Sequence, residues 1–129
     1  MASSEGRSIL FVEDDLAFRS FVARSLRRAG YSVAECGSAE EAIEAIDAGL
    51  RPGLVLLDLN LPGETGWGFL RDGILSAAGS PPVLVTSALT VSPRQLADHG
   101  VAGYLPKPFA LETLLDAVGR ALPVTGAAR

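Results

Sequence analysis

With 129 residues, the chain is long enough for one domain with a real core and short for two. A 48% hydrophobic share beside 20% charged residues fits a compact soluble protein, and a formal net charge of -4 argues against direct nucleic-acid binding, which needs a basic face. One cysteine, Cys36, excludes an internal disulfide and any Cys-rich metal site, and one histidine, His99, excludes a multi-His zinc site.

Residues 1–7 lack the apolar core of a signal peptide and are expected to fray, as are residues 123–129. Ile9-Leu10-Phe11-Val12 is an apolar run of strand length, followed by Glu13-Asp14-Asp15. Residues 16–29 place apolar side chains at Leu16, Phe18, Phe21, Val22, Leu26 and Ala29, a helical period that Gly30 stops. Arg19, Arg24, Arg27 and Arg28 on this helix read as a solvated face. Residues 31–36 alternate and form a shorter, more exposed strand, with Cys36 a small buried hydrophobe. Ser38 and Glu41 form a capping box for a helix that carries Ala42, Ile43, Ala45 and Ile46 and ends near Gly49.

Leu54-Val55-Leu56-Leu57-Asp58 reads as a buried strand of a parallel sheet, and a loop with Pro62, Gly63 and Gly66 follows it. A helix after Gly66 is expected to run through Ala77, with Trp67 partly exposed at its start, and residues 79–82 form a turn. Val83-Leu84-Val85-Thr86-Ser87 is the fourth strand. Ser92-Pro93 suits the N-cap and first position of a short helix to about His99, where a histidine complements the dipole. Residues 101–105 form the fifth strand and 110–122 the last helix. No apolar run approaches the ~20 residues of a membrane span, so a cytoplasmic setting is expected.

This alternation predicts an α/β fold: a five-stranded parallel sheet of order 2-1-3-4-5 in a flavodoxin-like, doubly wound three-layer sandwich. One domain is expected over residues 1–129, with its core in about 8–122. In that order strands one and three are neighbours, so Glu13, Asp14 and Asp58 converge at the carboxyl edge, where open α/β sheets place their chemistry. Crowded carboxylates repel, which raises at least one pKa unless a divalent cation sits among them; an all-oxygen set suits Mg²⁺. Ser87 and Lys107 close two further strands on the same edge. Singly these residues are a helix-start charge, a turn residue, a strand-end hydroxyl and a surface lysine. Together they can support phosphoryl transfer, with a carboxylate nucleophile, an ammonium and a hydroxyl donor.

The strings Ile9-Leu10-Phe11-Val12-Glu13-Asp14-Asp15, Leu56-Leu57-Asp58-Leu59-Asn60-Leu61-Pro62-Gly63, Val85-Thr86-Ser87-Ala88 and Tyr104-Leu105-Pro106-Lys107-Pro108-Phe109 span nearly the whole chain. In them the sequence resembles a response-regulator receiver domain of two-component signal transduction, of the CheY-like superfamily. The resemblance implies that Asp58 takes a phosphoryl group from a histidine kinase or histidine phosphotransfer protein. It implies Mg²⁺ held by Glu13, Asp14, Asp58 and the backbone carbonyl of Asn60. Ser87 matches the hydroxyl switch residue, Tyr104 the aromatic one, and Lys107 the phosphate-binding lysine, with Pro108 in the place of a cis proline. Such a phosphoprotein is no enzyme on a separate substrate; it catalyses only its own phosphorylation and dephosphorylation. Its signal is expected to pass to a downstream protein, or into self-association, through the short helix after Ser92, strand five and the last helix. Direct contact with nucleic acid or membrane is not expected.

The chain departs from the family pattern in places. The segment from Ser87 to Lys107 is a residue or two short, Leu89 is apolar where many relatives are polar, and Pro106 precedes the lysine. Two other classes compete with the receiver reading. A Mg²⁺-dependent phosphatase of the haloacid-dehalogenase type needs a second acid two residues after its nucleophile, and here that residue is Asn60. A receiver-like interaction module that is never phosphorylated has no need of the full set Glu13, Asp14, Asp58, Ser87 and Lys107.

Overall fold

The computed structural model describes residues 7–63 and 65–122. The element order is β1 (Ser8–Val12), α1 (Leu16–Arg28), β2 (Ser32–Cys36), α2 (Ala39–Asp47), β3 (Leu54–Asp58), α3 (Gly66–Arg71), α4 (Ile74–Ala77), β4 (Val83–Ser87), α5 (Pro93–Asp98), β5 (Gly103–Pro106) and α6 (Leu111–Ala121). Every residue of β3 and β4 is buried, which is the signature of central strands covered on both faces. The sheet is parallel in the order β2-β1-β3-β4-β5, as the alternating pattern predicts.

Strand alternation sorts the apolar side chains into two cores. Leu10, Val12, Val55, Leu57 and Val85 face the layer of α2 and α3, with Phe69 from α3 among them. Ile9, Phe11, Leu54, Leu56 and Leu84 face the layer of α1 and α6, which contribute Val22, Leu26, Leu114 and Val118. Truncating one of these fully buried leucines to alanine costs about 2–5 kcal/mol. Cys36 is buried, and burial pushes its thiol pKa up to about 11, so it behaves as the small hydrophobe expected.

Backbone pairing continues past the strand ends. Glu13 N–H donates to the Cys36 carbonyl at 2.9 Å, Leu59 N–H to Thr86 at 2.9 Å and Lys107 N–H to Ser87 at 2.8 Å. Because Val12 pairs with Leu57 and Asp58 with Thr86, one step further sets Glu13 beside Asp58 at the same level of the sheet.

Four expectations need correction. The helix after Gly66 does not run unbroken through Ala77; α3 ends at Arg71 and α4 restarts at Ile74. Gly73 sits between them at φ 73°, a left-handed conformation that ends a helix and that only glycine adopts at no cost. Strand five begins at Gly103 rather than Val101 and reaches Pro106, whose missing N–H is tolerated on an edge strand. The arginines of α1 are not all a solvated face, since Arg19 and Arg27 both pair with Glu35 on β2, at 3.2 and 3.1 Å. Leu16 and Phe21, counted in the helical period, point outward and are more than half exposed. Among the segments expected to fray, Arg7 lies over the Tyr31 ring at 5.7 Å; residues 1–6 and 123–129 are outside the described residues.

Candidate functional site

The string Glu13-Asp14-Asp15 divides its labour residue by residue. Asp15 caps α1, its carboxylate accepting the Phe18 N–H at 3.1 Å. Asp14 is exposed, and Glu13 is buried at 1% exposure. The Glu13 Oε2 accepts the Asp15 N–H at 3.0 Å, and its Oε1 accepts the Lys107 ammonium at 2.7 Å. Asp58, at the end of β3, is also buried. Its Oδ1 accepts the Asn60 N–H at 2.9 Å, and its Oδ2 lies 3.4 Å from the Lys107 Nζ. Carboxylate oxygens of Glu13, Asp14 and Asp58 all fall within 4.8 Å of one another.

The electrostatics follow from that packing. Burial raises the Glu13 pKa; the Lys107 hydrogen bond and the Asp15 N–H offset it only in part, and the Asp58 charge adds to the rise. The like-charge repulsion expected from the sequence is therefore present, but burial is the larger cause. For Lys107, burial works against the ammonium, yet its hydrogen bond to Glu13 and the charges of Glu13 and Asp58 leave its pKa above the ordinary value. Oxygen donors gathered this closely, with one group exposed, fit a small hard divalent cation such as Mg²⁺.

The remaining predicted residues lie on the β4–β5 side. Ser87 is buried; its hydroxyl donates to the Asn60 Oδ1 at 2.8 Å and accepts the Leu89 N–H at 3.0 Å. The hydroxyl of Tyr104, a half-buried residue, donates to the Leu89 carbonyl at 3.1 Å. Ser87 and Tyr104 thus hold opposite sides of one peptide residue. The Lys107-Pro108 bond is cis, as the family pattern implies. Asn60 enters with its side chain as the partner of Ser87, beside the backbone carbonyl expected to face a metal.

Two neighbours were not legible in the sequence. Arg19, read as solvated, donates from its Nη1 to the Glu13 carbonyl at 2.8 Å and ties the acidic loop to Glu35. Phe18, counted in the helical period, places its ring centroid 5.0 Å from the Lys107 Nζ. Helical spacing marks both as belonging to α1 but says nothing of what faces them across the sheet edge. Tight packing closes the site from below. A Cβ on Gly66 would stand 2.7 Å from both the Asp58 carbonyl oxygen and the Leu59 Cα, so only glycine admits α3 this close to the acid-bearing strand.

An open parallel sheet carrying a carboxylate cluster, a lysine ammonium that bridges two of its members and a strand-end hydroxyl on its carboxyl edge defines a flavodoxin-like α/β protein with an acidic site. Comparison with known proteins makes this specific. The family model described as "Response regulator receiver domain" matches residues 9–119, and the chain belongs to that family, the phospho-accepting receivers of two-component systems. It is 41% identical over 111 residues to the response regulator MprA of Mycobacterium sp. (strain KMS), covering 83% of this chain and 46% of that protein. It is 40% identical over 109 residues to MprA of Mycobacterium leprae (strain TN), covering 83% and 47%. The chain thus spans about half the length of the curated relatives it matches. Among solved structures, Vibrio cholerae CheY4 superposes with a TM-score of 0.79 at 31% identity, covering 89% of this chain and 98% of that one. TrrA of Thermotoga maritima, solved with Mg(2+)-BeF, superposes at 0.77 and 24% identity, covering 90% and 99%, a likeness of fold. Among the described residues, no helix is long and apolar enough to cross a membrane.

Proposed function

We propose that Asp58 is the phosphoryl acceptor of this receiver. One observation carries the reading: the Lys107 ammonium bridges Glu13 and Asp58, at 2.7 and 3.4 Å, inside a largely buried carboxylate cluster. A carboxylate oxygen of Asp58 attacks the donor's phosphorus, the bond from phosphorus to the leaving group breaks, and the leaving group departs with the electron pair. The product is an acyl phosphate on Asp58. Lys107 answers the charge on the phosphoryl oxygens by turning from Glu13 toward them. Glu13, Asp14, Asp58 and the Asn60 carbonyl would hold Mg²⁺, which when bound neutralises phosphoryl charge.

The donor is a phosphohistidine of a histidine kinase or phosphotransfer protein, and the setting is cytoplasmic. The phosphoryl group then competes with Asn60 for the Ser87 hydroxyl. As Ser87 turns, its bond to the Leu89 N–H is lost, the loop shifts and Tyr104 is released from the Leu89 carbonyl. The surface of α5, β5 and α6 then changes toward a downstream protein or a second copy.

Incubation with acetyl phosphate and Mg²⁺ followed by intact mass tests the acceptor. One phosphoryl adduct is expected on the wild type and none on Asp58→Asn. An adduct on Asp58→Asn would place the nucleophile elsewhere.

A further inference from the structure

The Lys107 ammonium has a third neighbour besides its two carboxylates. The Phe18 ring lies with its centroid 5.0 Å from Nζ, within cation–π range. That ring is itself held. Phe109 meets it edge-on, with 5.7 Å between centroids and 67° between planes, and both pack against the α1–α6 core. Asp15 fixes the same residue through its backbone, accepting the Phe18 N–H. The ring is therefore tied to the acidic loop that supplies Glu13 and Asp14.

The Lys107 side chain is 23% exposed, and a cavity of about 370 Å³ opens beside it, lined by Asp15, Phe18, Ala88, Lys107, Pro108 and Phe109. A flexible four-carbon stem next to open space can swing out of the site. Its short hydrogen bond is to Glu13, and that bond must loosen when the ammonium turns toward a phosphoryl group. The ammonium has three N–H donors and the ring's attraction is only weakly directional, so the ring face can keep the ammonium in place while its carboxylate partners change.

We infer that Phe18 is a positioning residue for phosphoryl transfer, its ring face retaining the Lys107 ammonium over Asp58 as the ammonium passes from Glu13 to the phosphoryl group. This rests on the assignment of Asp58 as acceptor. The test uses the full chain with acetyl phosphate and Mg²⁺, and adduct formation is followed by intact mass. Phe18→Leu is expected to slow phosphorylation about 3- to 10-fold, the range of one partly desolvated cation–π contact, while Phe18→Tyr stays within about 2-fold of wild type. In a Lys107→Met background, Phe18→Leu is expected to change the rate less than about 2-fold, because the ring then has no cation to hold.

Site-specific mono-, di- and trifluorophenylalanine at position 18 keeps the ring's bulk and progressively weakens its negative face. The rate is expected to fall stepwise along that series. An equal slowing by Phe18→Leu with and without Lys107, or a flat response to fluorination, overturns the inference and leaves Asp58 as acceptor. Absence of any adduct on the wild type, or an adduct on Asp58→Asn, overturns the acceptor assignment and this inference with it.

Discussion

At the scale of single residues, neighbours in sequence do unlike work. Thr86 and Ser87 are adjacent buried hydroxyls at the end of β4, pointing to opposite faces of the sheet. Ser87 has two hydrogen-bond partners, Asn60 and the Leu89 N–H. The Thr86 hydroxyl has none among the described residues, and a buried unpaired hydroxyl costs about 1–3 kcal/mol. Thr86→Val keeps the shape and removes the unpaired group, so it is expected to raise the unfolding free energy by about 1 kcal/mol. Urea denaturation checks this; a lower midpoint for Thr86→Val would mean that the hydroxyl is satisfied in solution. The same resolution explains what could be read of the site beforehand. Asp58 and Lys107 announced themselves by closing strands. Arg19 and Phe18 did not, because their roles depend on what lies opposite them.

At the scale of elements, the decisive contact is between the start of α3 and the end of β3. Thr65 caps α3 by accepting the Gly68 N–H at 3.2 Å, and the Gly66 N–H donates to the Leu59 carbonyl at 3.2 Å. Gly66→Ala would drive a methyl group into the backbone of Asp58 and Leu59. The strand cannot yield without moving Asp58, so a loss of about 1–3 kcal/mol is expected together with slower phosphorylation. Gly49→Ala is the control, since its Cβ meets nothing within 4 Å, although its φ of 111° makes it strained in its own right. It should lose stability without a matching loss of phosphorylation rate in the folded protein. If the two variants behave alike in the phosphorylation assay, the α3–β3 contact does not position Asp58.

At the scale of the whole molecule, burying the Glu13 carboxylate works against its charged form and ties stability to pH. Glu13 carries a raised pKa, so its native state holds a proton more tightly than the unfolded chain does. The associated stability is fully present below the ordinary carboxylate pKa and is lost as pH rises through the folded value. In metal-free buffer, Glu13→Gln should therefore gain stability relative to wild type as pH rises above the ordinary carboxylate pKa of about 4. A pH-independent difference between the two proteins would remove Glu13 from the account. Mg²⁺ should act on the same charge: with a dissociation constant near ~1 mM, ~10 mM adds about 1.4 kcal/mol, a melting rise on the order of 3–6 °C. Asp14→Ala should respond little, and an equal response in both proteins would sink the metal site.

The sequence by itself determined the class of fold and the edge on which chemistry sits. Apolar runs of strand length alternating with helical periods leave a parallel doubly wound sheet as the economical arrangement, and polar residues closing those runs must lie at its carboxyl edge. Local pattern also found the Ser38 and Ser92 helix starts, because a cap is a contact between near neighbours in the chain. Only the tertiary structure decided what meets across that edge. Lys107 reaches Glu13 from 94 residues away, Asn60 holds Ser87 from 27, and Arg19 crosses to Glu35 instead of facing water. Such contacts depend on strand register and on how α1 and α6 lie over the sheet. No periodicity in one segment encodes the side chains of another, so the partners of each site residue appear only when the elements pack.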